Sequence, residues 1–158
     1  MMVRDTADRR VRRSSDFDDV LDQIVGKDKP FMAMRDALLF AACLGFSKER
    51  RVKLNKNQSE PIRWDVMTNR NGCETAVNLI AVLCNEDDPE ILSESRFDER
   101  ITMFEEYASG GLEIIKNLIN ASPKQVREVL LQLIDESLPK TSPEKASDIT
   151  GAVDAIFR

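Results

Sequence analysis

The chain has 158 residues, 42% apolar and 32% charged, with a formal net charge of −5 and no histidine at all. That length buries a substantial core without metals or disulfides, and an apolar share this ordinary excludes wholesale disorder. Without histidine there is no Ser–His or Cys–His nucleophile pair and no His-containing zinc site, and no stretch approaches the roughly 18 uncharged apolar residues of a membrane helix.

The first segment, MMVRDTADRRVRRSS, carries a local charge of +3 over residues 1–13. It is polar and aperiodic, so residues 1–14 are expected to form a flexible basic arm, with Arg9, Arg10, Arg12 and Arg13 as candidate phosphate contacts. No apolar segment follows the arginines, which argues against a secretory signal. Ser15 is placed to cap a helix from Asp16, with Phe17, Val20, Leu21 and Ile24 on one face and Gly26 at its end. The turn Gly-Lys-Asp-Lys-Pro follows, and Pro30 forbids continuation.

A second helix is predicted from about Met32 to Leu44, apolar on nearly every side and therefore central, with Gly45 as its C-terminal stop. Residues 47–56 (SKERRVKLNK) carry +4. Lys48, Arg50, Arg51, Lys53 and Lys56 could contact phosphates, or pair with acidic groups of the same or another chain. Short alternations at 51–54 and 61–67 fit a hairpin within residues 51–67 and fit equally an ordered loop anchored by Trp64.

A third helix is predicted from Cys73 to Leu83, with Ala76, Val77, Leu79, Ile80, Val82 and Leu83 inward. Cys43, Cys73 and Cys84 lie in apolar helical patterns and read as buried thiols of a cytoplasmic protein. The fourth predicted helix, from Phe97, keeps its apolar period through Ile119 although Gly110 and Gly111 lie in its middle. Two interior glycines weaken a helix by about 2 kcal/mol, so they mark a kink or a close backbone approach. Between Asn85 and Glu113 the net charge is −8. Glu99, Glu106 and Glu113 recur every seven residues on one face, with Glu105 alongside, and read as a solvated or partner-binding acidic surface.

Ser122-Pro123 predicts the start of a fifth helix with Val126, Val129, Leu130, Leu133 and Ile134 inward. A last helix is predicted over Glu144–Phe157. The sum is an all-α, compact single domain of about six helices over residues 15–158.

Arg9-Arg10-Val11-Arg12-Arg13, the stretch RDALLFAACLGF from Arg35, Glu60-Pro61-Ile62, Asn78-Leu-Ile-Ala81 and RITMFEEYASGGLEII from Arg100 occur in an order that resembles the DNA phosphorothioation (Dnd) system-associated protein 4 family. The resemblance spans about residues 9–120. It implies a bacterial accessory protein of systems that replace a phosphate oxygen of DNA by sulfur, a mark used in restriction and anti-phage defence. It implies partners among the other phosphorothioation or restriction proteins, and it supplies no catalytic residue.

The resulting expectation is a non-enzymatic adaptor or DNA-contacting subunit without metal or cofactor. Glu99, Glu105, Glu106, Tyr107, Gly110, Gly111 and Glu113 would meet a protein partner, and the basic arm and loop would meet DNA. The alternatives are a purely protein-binding regulator and a metal-dependent nuclease built on Glu105, Glu106 and Glu113.

Overall fold

The computed structural model describes residues 8–69 and 72–139. The expected all-α architecture is present, with six α-helices and one two-stranded antiparallel sheet among the described residues. The predicted helix at Glu144–Phe157 lies outside them. No helix among them is long and apolar enough to cross a membrane.

The chain enters as strand β1 (Arg10–Val11), passes through a 3-10 turn at Ser15–Phe17, and forms α1 (Asp18–Ile24). The expected face is inward: Phe17, Val20, Leu21 and Ile24 are buried. The α-helix starts later than Ser15 suggested, because Ser14 takes the extended cap position and the first turn is 3-10. Helix α2 (Met34–Ser47) runs past Gly45, which is an interior residue and not a stop. Its end is instead a Schellman arrangement. Arg50 N–H donates to Gly45 O at 2.8 Å and Glu49 N–H to Phe46 O at 3.1 Å, with Glu49 in the left-handed region at φ 54°. Glycine usually holds that position, since it alone avoids the Cβ penalty.

Of the two readings of residues 51–67, the hairpin does not form. Strand β2 (Ile62–Arg63) pairs with β1, with Arg10 opposite Arg63 and Val11 opposite Ile62. The alignment extends along the loop: Ser15 N–H donates to Asn57 O, Ser59 N–H to Arg13 O and Trp64 N–H to Arg9 O. Residues 9–14, expected within a flexible arm, are therefore part of the fold, and Val11 is only 1% exposed. Two short extended segments, each too polar to hold a sheet alone, complete one another's backbone hydrogen bonds.

Trp64 opens the single turn α3 (Trp64–Met67) and packs edge-on against Phe97, ring centroids 5.2 Å apart. Helix α4 (Cys73–Cys84) buries Cys73, Val77, Ile80 and Ala81, whereas Leu79 and Leu83, expected inward, are exposed. Cys43 is likewise exposed on α2. Two 3-10 turns, Pro89–Leu92 and Glu94–Arg96, lead into α5 (Phe97–Ala121), which continues unbroken through both glycines. Helix α6 (Val126–Ser137) begins after Pro123, with Gln125 at its cap.

The centre of the fold is the contact between α2 and α5, and glycine permits it. A Cβ added at Gly111 would lie 1.8 Å from the Ala41 carbonyl oxygen, and one at Gly45 2.1 Å from the Tyr107 carbonyl oxygen. At Gly110 it would lie 1.8 Å from the Arg50 carbonyl oxygen. The pair is thus a backbone packing point against this chain's own α2 and loop.

Candidate functional site

The residues singled out in the sequence converge on α5, and the structure brings the basic and acidic groups onto one another. Glu105 falls on the apolar stripe, four residues after Ile101 and three before Ala108, and its side chain is fully buried. A buried carboxylate persists only if it is paired and hydrogen-bonded. Arg9 donates to Glu105 Oε1 at 3.2 Å and Arg12 to the same oxygen at 3.0 Å. Arg12 also donates to Oε2 through Nε at 3.1 Å and through its backbone N–H. The Glu105 hydrogen bond raises the Arg12 pKa, against a smaller opposing effect of burial. Arg9 further reaches Asp98, 2.9 Å away. These contacts strap the amino-terminal strand to the central helix.

The loop arginines do the same at Glu106, the next residue, and at Glu113, about two turns further along. Arg50 Nε donates to Glu113 Oε2 at 2.6 Å. Arg51 donates to Glu106 and lies over the Tyr107 ring, 5.6 Å from its centroid. Burial draws the Arg51 guanidinium down, but the Glu106 hydrogen bond and charge outweigh it and the net shift is upward. Val52 N–H donates to Glu106 O at 3.0 Å, so the loop backbone is also fixed to α5. Tyr107 packs edge-on against Phe46, 5.5 Å away, and accepts a hydrogen bond from the Cys84 thiol at 3.4 Å. The proximity of the Cys84 sulfur, against which the phenol keeps its proton, and partial burial hold the phenol above its ordinary range. Glu99 pairs with Arg96 instead, and the hydrogen bond lowers its pKa.

Arg13 is held by the Glu60 carbonyl at 2.6 Å. Among the described residues, Arg10, Lys48, Lys53 and Lys56 are exposed and form no ion pair. The predicted sites thus divide. Arg9, Arg12, Arg50 and Arg51 meet Glu105, Glu106 and Glu113 within the chain, while Arg10 and the three lysines face solvent.

Arg100 escaped the sequence reading. It is 7% exposed, donates to the carbonyls of Ile91 and Ser93, both at 2.7 Å, and lies over the Phe97 ring. Burial lowers its pKa. The signal was its place beside Ile101 on the inward stripe, where a cation must find acceptors. It ties the 3-10 turns to α5.

A hollow between α1 and α5, lined by Asp19, Gln23, Lys116 and Asn120, measures about 180 Å³. Small-molecule sites are commonly about 300 Å³ or more. No group of three or more Cys, Asp or Glu side chains is arranged to hold a metal among the described residues.

Comparison with protein-family models matches residues 10–152 to the family DNA sulphur modification system-associated protein 4. No curated protein and no solved structure matches the chain.

Proposed function

The chain belongs to the DNA sulphur modification system-associated protein 4 family, and from that membership we propose a non-catalytic accessory protein that acts through protein contacts within such a system. The observation that carries this reading is the internal neutralisation on α5. Four of the arginines that made DNA contact attractive are bound to the chain's own carboxylates. Phosphate binding by them would require breaking those pairs. Restriction and defence against foreign DNA are the processes such a subunit would serve, inside the cytoplasm.

The same contacts speak against a nuclease. Both oxygens of Glu105 are occupied by arginine donors, and Glu106 and Glu113 are each ion-paired. A catalytic metal needs open coordination positions and carboxylates free to take them.

A second reading, direct DNA contact, is favoured by one observation: Arg10, Lys48, Lys53 and Lys56 are exposed cations without an ion pair among the described residues. It predicts duplex binding that weakens steeply with salt and is lost in the quadruple alanine variant.

The test is co-purification of the tagged chain with the proteins encoded beside it, with and without nuclease. Recovery of a system protein after nuclease supports the accessory reading. Recovery only when DNA is intact supports the second. Recovery of neither removes the accessory reading.

A further inference from the structure

Resting on the protein-binding reading, we propose that the outer face of α4, with the acidic turns after it, is the docking surface for a cationic amphipathic helix of a partner protein. Leu79 and Leu83 lie one helical turn apart and are 55% and 43% exposed, and Leu92 in the following 3-10 turn is 48% exposed. The opposite side of α4 is already committed to the core through Cys73, Val77, Ile80 and Ala81. A leucine pair at i, i+4 spacing is the pattern that a partner helix meets with its own apolar face.

The charge around this stripe sets the chemistry of the partner. Residues 72–95 contain six carboxylates and neither lysine nor arginine. Asp88 is ion-paired to Arg96 and Glu74 lies in the field of Arg100, whereas among the described residues Glu86, Asp87, Glu90 and Glu94 form no ion pair. The final carbonyls of α4 add partial negative charge at the end where Glu86 and Asp87 follow.

The contrast with α5 is direct. There each carboxylate of the face is answered by an arginine of the same chain, while here four carboxylates have no ion-pair partner among the described residues. Nucleic acid is repelled by such a face. A second copy of this chain fits poorly, because α6, whose exposed Leu131 and Ile134 would be the matching stripe, carries Arg127 against Glu128, Asp135 and Glu136 and is itself net negative. A helix carrying leucine on one side and lysine or arginine on its flanks matches both features.

The experiment titrates the full chain with a labelled synthetic leucine–lysine amphipathic helix and follows fluorescence anisotropy. A leucine–glutamate helix of the same pattern is the control. The lysine helix should bind, more weakly at high salt. Leu79→Ser with Leu83→Ser should weaken binding about tenfold or more, the cost of removing two partly buried leucine contacts. Glu86→Gln with Asp87→Asn and Glu90→Gln should weaken it and flatten the salt dependence. Leu131→Ser with Ile134→Ser, exposed positions on α6, should leave binding unchanged.

Circular dichroism confirms that each variant is folded. Equal binding by the α4 leucine variant and the wild type, or equal binding of the glutamate helix, would overturn the proposal. Co-purification of system proteins that persists in the leucine variant would place the partner elsewhere while leaving the accessory reading standing.

Discussion

Replacing Gly111 by alanine separates the two meanings of the glycine pair. If the glycines were there to bend or loosen α5, alanine would stabilise the helix by about 1 kcal/mol through propensity alone. The structure requires the opposite. The new Cβ would lie 1.8 Å from the Ala41 carbonyl oxygen and 2.5 Å from its carbonyl carbon. Ordinary contact begins near 3.4 Å, so α2 would have to retreat by roughly 1.5 Å. The obstructing atoms are backbone, and no side chain can swing aside to make room.

Retreat loosens Ala37, Leu38 and Ala41 against Leu112 and Ile115, all of them fully or nearly fully buried. Overpacking of this kind costs about 1–3 kcal/mol, and a clash with backbone belongs at the upper end. After the propensity gain, Gly111→Ala should lose about 2 kcal/mol, a large share of a stability of about 5–15 kcal/mol. Urea unfolding followed by far-ultraviolet circular dichroism and by the fluorescence of Trp64, the only tryptophan, measures it. Gly45→Ala should behave alike. Gly72→Ala, with open space around it and only an unfavourable φ of 107°, should lose about 1 kcal/mol. A Gly111→Ala midpoint at or above that of the wild type would refute the reasoning.

Glu105→Ala should destabilise by about 2–3 kcal/mol, less than a fully buried pair because the Arg12 side chain is 42% exposed; hydrogen exchange should show β1 losing protection first, and intact protection at Val11 would count against the strap. Glu49→Gly should raise stability by about 1 kcal/mol by relieving the left-handed φ at the end of α2, and an unchanged urea midpoint would deny that strain. Tyr107, the sole tyrosine, should ionise above the ordinary value of about 10, and Cys84→Ala should bring its absorbance midpoint down. Because the folded phenol holds its proton longer than the unfolded one, this residue's stabilisation is complete below about pH 10 and is lost as pH rises through the folded value; identical titrations in buffer and in urea would contradict it.

Much of the architecture was legible because helical period and punctuation are local. The inward faces of α1 and α5 follow directly from apolar residues three and four apart, and the central place of α2 from its being apolar on nearly every side. The family was legible for the same reason: its marker stretches, RDALLFAACLGF and RITMFEEYASGGLEII, supply the two helices whose backbones touch. The departures are instructive. Gly45 looked like a helix stop, yet its bare backbone faces the Tyr107 carbonyl of α5. Leu79 and Leu83 belonged to an apolar run, and only the placement of α5 and the 3-10 turns decided which side of α4 is covered.

The sequence alone determined the all-α class, the absence of any histidine chemistry, the family, and the segregation of positive and negative charge along the chain. Which charges meet was decided by the tertiary structure. Ion pairing depends on distance, and Arg12 and Glu105 are neighbours only because β1 pairs with β2 and is carried onto α5. Local periodicity reports which way a side chain faces its own element. It does not report what lies across the gap. For Arg9, Arg12, Arg50 and Arg51 that is a carboxylate of the same chain, and these pairs bind the amino-terminal strand and the loop to α5.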